Sequence, residues 1–376
     1  MEFLRRTWAE IDLSALKHNF EILKNASQNS EITCVVKANA YGHSDNIVVP
    51  ALDKAGCDRF AVSNIEEAVH IRSLGVDKPI LILGYTPVSL AEVLSKYDIS
   101  QCVFSSDYAK ELSLAAKEKG VFIKIHIKLD TGMGRLGFNC RNEELSEIDS
   151  AIDSAKLPNL QLEGIFTHFA FSDRSDEEED GFTDSQYARF YKAVEIMKSA
   201  GLNPKVCHCR NSAAILKDSD KEFDSSRAGI CLYGLTPSTS LNLKEDLIPV
   251  MTFKSVISMV KKIEKGDTVS YGRTFKADKD MTIATVSAGY ADGYPRLLSN
   301  KGYVLINGQK ANILGRICMD QFIVDVSDID DVSTDTEVIL FGKELHVEEI
   351  AALCNTINYE IICGISPRVP RIEINN

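Results

Sequence analysis

Ile32-Thr-Cys-Val-Val-Lys37-Ala-Asn-Ala-Tyr41-Gly-His43 is the stretch that decides how the chain is read. Residues 32–36 are largely apolar and β-branched, which predicts a short buried strand. The run stops at Lys37. An ammonium at the end of such a strand gives up hydration, and desolvation lowers a lysine pKa towards the range in which it reacts. Gly42 lets the backbone approach a ligand. The alternative is a lysine that snorkels to solvent from a barrel rim.

The pattern recurs along the chain. Strand-like apolar runs stand at 32–36, 59–63, 79–84, 101–104, 121–129, 162–167, 205–209 and 229–233, with helix-like segments between them. Eight β-α repeats predict an α/β fold, a (β/α)8 TIM-type barrel. An open doubly wound sheet is the alternative, weakened because no Gly-x-Gly-x-x-Gly follows the first strand. In a barrel, chemistry gathers at the C-terminal strand ends. The polar residues that end these runs are Lys37, Asn64, Tyr85, Lys128 with Asp130, His168, Asn211 with Ser212, and the loop of Arg227 and Gly229. They are expected to share one mouth.

After about residue 235 the texture changes. Strands are expected at 256–260, 268–271, 282–286, 303–306, 322–326 and 337–341, with a hairpin turn at Asn307-Gly308 and one helix at 347–354. This predicts a barrel domain over 1–236 and a C-terminal mainly-β domain over 237–376. For the opening run 6–11, pairing with the second domain is the alternative to the barrel.

Composition narrows the function. The chain has 376 residues and a net charge of -12, which argues against nucleic acid or anionic membranes as partners. No apolar run is long enough to span a membrane, and the first residues do not read as a signal peptide. Ten cysteines without disulfide-like spacing suit a reducing, cytoplasmic setting. The run from Ser172 to Gly181 reads as a solvated acidic loop.

Several strings carry chemistry. Lys128-Leu-Asp-Thr-Gly-Met-Gly-Arg135-Leu-Gly-Phe138 places three glycines in six residues, which demands a special backbone. His168 ends the sixth run. Cys207-His208-Cys209 invites a metal, but along a strand the sulfurs face away from His208, and no second cluster has zinc-site spacing, so no metal is expected. Asn211-Ser212, Ser226-Arg227-Ala-Gly229-Ile230, Val269-Ser-Tyr271-Gly, Gly289-Tyr290, Gly315-Arg-Ile-Cys318-Met319-Asp320 and Asn358-Tyr359 complete the set.

In order, and over essentially the whole chain, these strings resemble the alanine racemases. The resemblance implies that Lys37 carries pyridoxal 5′-phosphate and acts as one catalytic base, with Tyr41 beside it. It implies Tyr271, delivered from the other subunit of a homodimer, as the second base. Arg135 would meet the cofactor phenolic oxygen and the substrate carboxylate. Lys128 matches a position often carbamylated in the family. His168 would pack on the pyridine face and contact Arg227, which faces the pyridine nitrogen. Arginine keeps its proton, so that nitrogen would stay unprotonated. Asn211, Ser212, the amides of Gly229 and Ile230, and Tyr359 match cofactor-binding positions, with Ser212 and Tyr359 on the phosphate. Tyr290, Cys318, Met319 and Asp320 match residues that line or support the site across the dimer.

Three departures stand out: Ser44 replaces a usual Gly, Arg210 a small residue and Ala228 a proline. Ser44 is expected to cap the next helix, and Arg210 leaves the local packing open. The implied activity is interconversion of L- and D-alanine, supplying bacterial peptidoglycan. The alternatives are a serine-preferring racemase, a related amino-acid decarboxylase and a non-catalytic pyridoxal-phosphate-binding barrel. Some serine-preferring relatives carry a smaller amide residue where this chain has Tyr359. A decarboxylase would place a carboxylate at the ring nitrogen, and the binding barrels lack a second domain.

Overall fold

The computed structural model describes residues 6–174, 181–217, 220–238, 241 and 246–375. The centre of the acidic run, 175–180, lies outside them. The chain divides into two units. One holds the chain up to Ala15, Tyr41–Ile47 and the described residues from Ile248 on; the other holds Leu16–Ala40 and the described part of Val48–Leu247. Among the described residues no helix is long and apolar enough to cross a membrane.

β1 (Thr7–Asp12) belongs to the first of these units. The barrel follows as β2 (Glu31–Val35), β3 (Arg59–Val62), β4 (Ile80–Ile82), β5 (Ile99–Val103), β6 (Ile123–Asp130), the short β7 (Phe138–Asn139), β8 (Leu160–Phe166), β9 (Val206–His208) and β10 (Ser225–Ala228). Apart from β7, these are eight parallel strands paired in a ring, β2-β3-β4-β5-β6-β8-β9-β10 and back to β2. Register follows the apolar pattern: Cys34 stands opposite Phe60, and Phe60 opposite Ile80. Burial of Ile, Val, Leu and Phe side chains on these strands supplies the main stabilisation.

The eighth strand departs from expectation. It is Ser225–Ala228, and Ile230–Tyr233 is a buried 3-10 helix. A short apolar run reports burial, not extension. Gly229 (φ −118°, ψ −111°) turns the chain between the two.

The β-rich unit continues with β11 (Met251–Ile263), β12 (Thr268–Val269), β13 (Phe275–Lys276), β14 (Met281–Val286), β15 (Tyr303–Ile306), β16 (Gln309–Leu314), β17 (Phe322–Asp325), β18 (Glu337–Phe341) and β19 (Arg371–Ile374). β11, β14, β17, β16, β15 and β18 pair in a closed ring, while β1 lies between β11 and β19. The expected strand at 268–271 ends at Val269. Ser270 (φ +65°) and Gly272 (φ +72°) bend the chain, and Tyr271–Arg273 forms a 3-10 turn. Asn307 and Gly308 both have positive φ between β15 and β16, as a two-residue hairpin turn requires. The helix Val347–Cys354 lies where periodicity predicts it.

The segment after β2 is the least ordinary backbone. Ala38, Asn39, Ala40 and Tyr41 all have φ between 52° and 55°, one turn of left-handed helix. Each such residue costs roughly 1–2 kcal/mol, so neighbours must hold it. Glu67 does. Its Oε1 accepts from the Ala38 N–H at 2.7 Å and its Oε2 from the Ser63 N–H at 2.8 Å. Glu67 is itself fixed by Asn64, whose side chain accepts the Glu67 N–H at 2.9 Å and caps helix Ile65–Ser73. At Gly42 (φ +81°) a Cβ would lie 2.2 Å from the Ile362 carbonyl oxygen, so only glycine fits. Ser44 has φ +77°, not the extended conformation of a side-chain cap. This left-handed backbone gives the physical reason a glycine suits that position.

Removing the Glu67 carboxylate should release the turn. Glu67→Ala is expected to lower unfolding free energy by about 1–2 kcal/mol, with Glu67→Gln, which keeps one acceptor, in between. Chemical denaturation measures both. Equal stability of all three proteins would show that Glu67 does not hold the turn.

Candidate active site

The barrel unit brings one group of the expected residues together. Arg227, on β10, is 3% exposed and lies at the centre of this group. Its Nη1 donates to His208 Nδ1 at 2.7 Å. Its Nη2 faces the Thr167 carbonyl at 2.8 Å, the Cys209 carbonyl at 2.9 Å and His168 Nδ1 at 3.2 Å. Every one of these acceptors is neutral, and among the described residues no carboxylate forms an ion pair with Arg227. Burial lowers the guanidinium pKa to about 10, which still leaves it charged at neutral pH. The four contacts do not use its Nε–H, so donor capacity remains for a further acceptor.

The imidazoles respond to the same environment. His168 and His208 are both held well below the usual histidine range, first by burial and then by the Arg227 charge. They are neutral acceptors at Nδ1, which places their protons on Nε2. Lys37, at the end of β2, is half-buried and adds to the field on His168, as do Lys128 and Arg135. Gln186 fixes the loop after β8. It donates to the His168 carbonyl at 3.2 Å and accepts from the Ala170 N–H at 2.8 Å.

Lys128 is buried at the end of β6. Its amine donates to the Leu129 carbonyl at 2.8 Å and lies over the Phe166 ring at 5.4 Å. Burial, with help from Arg227 and Arg135, brings its pKa down to about 7. The loop that follows is organised by Asp130, which accepts from the Gly132 and Gly134 N–H groups and pairs with Arg141. Asp130 is thus used in building the loop, not at the mouth. Gly132, Gly134 and Gly137 all have positive φ, and a Cβ on Gly137 would lie 2.7 Å from the Asp130 nitrogen. The loop presents Arg135 exposed.

At the ends of β9 and β10, Ser212 Oγ accepts from the Gly229 N–H at 2.7 Å. Its own hydrogen remains available to an acceptor. Asn211 Oδ1 accepts from Ala214 N–H and from Ser172 Oγ, which fixes the start of helix Ser212–Lys217. Ile230 follows in the 3-10 helix. Arg210 points away from this group. It is fully buried and bonds Ser226 Oγ at 2.9 Å and Ser30 Oγ at 3.1 Å, and it approaches Glu222 at 3.7 Å. Among the described residues no cluster of three His, Cys, Asp or Glu side chains is arranged to hold a metal ion.

The β-rich unit gathers the remaining residues in two places. Tyr271, Cys318, Met319 and Asp320 line one groove of about 660 Å³. Tyr271 is 71% exposed and Met319 53%. The Tyr290 N–H donates to the Cys318 carbonyl at 3.1 Å, and Asp320 is held by Arg368 at 2.7 Å. Elsewhere in the unit the rings of Tyr41 and Tyr359 stand 6.1 Å apart.

Sequence reasoning missed Glu67, Gln186, His126 and Glu163, and gave His208 no role at Arg227. Asn64-x-x-Glu67 carried a usable signal, the spacing of a capping box. Gln186 lies within a long helix and offered none.

The barrel unit supplies a strand-end amine at Lys37, a buried donor at Arg227 and a hydroxyl on a backbone amide at Ser212. This set fits the carbonyl, ring nitrogen and phosphate of pyridoxal phosphate. Comparison with known proteins agrees. The family model for the alanine racemase N-terminal domain matches residues 11–237, and that for the C-terminal domain matches 250–373. The chain is 44% identical to alanine racemase 1 of Clostridium acetobutylicum and 45% identical to the alanine racemase of Clostridium tetani. Both alignments cover 99% of this chain and 96% of the relative. Among solved structures it is similar to the alanine racemase of Clostridium difficile, at TM-score 0.92 and 38% identity, covering 100% of this chain and 98% of that one. It is also similar to that of Bacillus anthracis with bound L-Ala-P, at TM-score 0.91 and 38% identity, covering 100% and 97%. Site chemistry, whole-length sequence and fold therefore place the chain in one family: it belongs to the alanine racemases, isomerases that depend on pyridoxal phosphate.

Proposed function

We propose that this chain interconverts L- and D-alanine by a two-base mechanism in a homodimer, with Lys37 of one subunit and Tyr271 of the partner subunit on opposite faces of the substrate. The observation that carries the reading is Arg227, a buried cation held by neutral acceptors, among them His168, a ring that also feels the charge of Lys37. When bound, pyridoxal phosphate supplies the electron sink that acidifies the substrate Cα–H. Lys37, Ser212, the Ile230 amide and Arg227 would hold it, the Gly229 N–H being engaged by Ser212 Oγ.

The protein's own groups divide the work. Arg227 donates to the ring nitrogen and, as a retained cation, gives it no proton. Arg135 offers a two-pronged donor to the substrate carboxylate. The Lys37 amine takes or returns the Cα proton on one face, and the Tyr271 hydroxyl does so on the other. Inversion needs such a pair. The exposure of Tyr271 and Met319 on one groove suits a surface that a second subunit covers. We further read the enzyme as a cytoplasmic source of D-alanine for peptidoglycan. The decarboxylase alternative is disfavoured because it calls for a carboxylate where Arg227 stands, and the binding-barrel alternative because this chain has a second unit. Tyr359 favours alanine over serine.

Mixing tests the shared site. Lys37→Ala and Tyr271→Phe homodimers should each be nearly inactive, while exchanged heterodimers carry one intact site and recover activity. No recovery despite confirmed subunit exchange would overturn the two-subunit arrangement.

Lys128 generates a second prediction. A lysine with a pKa of about 7 exposes much neutral amine at neutral pH. Its nitrogen can bond the carbon of carbon dioxide and release a proton, giving an anion able to pair with Arg135. Protein equilibrated with ¹³C-bicarbonate should show one carbamate resonance that is missing in Lys128→Ala and weakens as pH falls below 7. No such resonance in the unaltered protein would rule the modification out.

A further inference from the structure

Among the described residues no carboxylate contacts Arg227, yet a carboxylate stands at the end of the chain of hydrogen bonds that starts from it. His208 accepts from Arg227 on Nδ1, and its Nε2 lies 3.0 Å from His126 Nδ1. His126 Nε2 lies 3.1 Å from Glu163 Oε2. That oxygen also accepts from Ser100 Oγ at 2.5 Å, and Arg59 approaches the other carboxylate oxygen at 3.7 Å. Both rings are 2% exposed, so bulk water cannot serve as an alternative partner.

Only one assignment of protons satisfies every link. Glu163 is ionised: burial alone would raise its pKa, but hydrogen bonds from His126 and Ser100 and the charge of Arg59 hold it well below the usual carboxylate range. An acceptor on that side requires His126 to carry its proton on Nε2. Its Nδ1 then accepts, so His208 must donate from Nε2. His208 Nδ1 is left as a lone pair, which is what the Arg227 N–H needs. Burial lowers the pKa of both imidazoles, and each therefore stays neutral at pH 7. Reversing the His208 proton would set two donors against each other at Arg227, and reversing the His126 proton would do so between the two rings and leave a lone pair facing the carboxylate. The backbone makes room for the arrangement: a Cβ at residue 164 would lie 2.4 Å from His126 Nδ1, and the residue there is Gly164. Phe166 stacks on His208 at 4.9 Å with an interplanar angle of 3°, which fixes the ring plane.

We propose that Glu163 and His126 are positioning residues that, through His208, lock both imidazole tautomers and so keep Arg227 aimed as a cationic donor into the barrel mouth. They touch neither cofactor nor substrate. The proposal deepens the racemase reading and rests on it for its purpose, but the tautomers can be read without any reaction.

The test is nitrogen NMR on cofactor-free protein labelled with ¹⁵N-histidine, with resonances assigned through His126 and His208 variants. At neutral pH the unaltered protein should show Nε2–H and a bare Nδ1 on both residues. Glu163→Gln offers an amide oxygen in the same place and should keep both tautomers. Glu163→Leu removes the acceptor that pins the His126 proton, and Nδ1–H forms should appear on both His126 and His208, displacing Arg227 from His208. In the cofactor-loaded enzyme Glu163→Leu should then lose roughly tenfold or more in kcat, with KM for alanine within about threefold and Glu163→Gln close to unaltered. An unaltered protein with Nδ1–H on His208, or with either ring cationic at pH 7, overturns the proposal whatever the variants do. Unchanged tautomers in folded Glu163→Leu overturn it too. Correct tautomers and switching without measurable racemisation in the unaltered enzyme would instead discredit the racemase reading and leave the positioning relay standing.

Discussion

A guanidinium buried without a carboxylate against it is the constraint on which the site depends. A direct carboxylate partner would occupy the guanidinium donors and would lower the field at the mouth. Two backbone carbonyls and two imidazoles instead satisfy Arg227 without neutralising it. Burial first, and then the same charge, holds His168 and His208 well below the usual histidine range, and that charge adds to the burial that brings Lys128 down to about 7. Electrostatic arrangement of this kind acts without reorganisation at the moment of reaction.

The fold supplies such a position because eight parallel strands end at one mouth. Parallel pairing of β8, β9 and β10 sets Phe166 opposite His208 and His208 opposite Ser225, and the chain just beyond supplies Thr167, Cys209 and Arg227. Three stretches of positive-φ backbone stand beside candidate site residues: the left-handed turn after Lys37, the glycines that follow Lys128, and Ser270 just before Tyr271. Each is held by a named group, Glu67 for the first, Asp130 for the second and the Arg316 carbonyl for the third. Stored strain that neighbours over-determine is what a preformed site requires.

Much of this was legible in the sequence. Seven of the eight barrel strands were expected near their observed places, because apolar runs bounded by polar ends report buried parallel strands well. The eighth was misplaced because Gly229 to Tyr233 is apolar for a different reason, complete burial as a 3-10 helix. The candidate barrel-mouth residues were picked out because strings around them resemble a known family. The network behind them was not found, although β6 displayed it. Lys124, His126, Lys128 and Asp130 alternate with apolar residues, so one face of a buried strand is polar throughout. What the sequence could not say is which strands face that polarity. Glu163 and His208 come from two other strands, and only the closed ring brings them to His126.

The most direct test of the account is the fate of L-alanine in D₂O with the enzyme loaded with pyridoxal phosphate. Chiral analysis and proton NMR would follow both enantiomers together. The account predicts an equal mixture of L- and D-alanine, deuterium at Cα of the product, and neither pyruvate nor loss of carbon dioxide. Persistence of L-alanine with its Cα proton intact, or accumulation of pyruvate or of a decarboxylated amine, would contradict it.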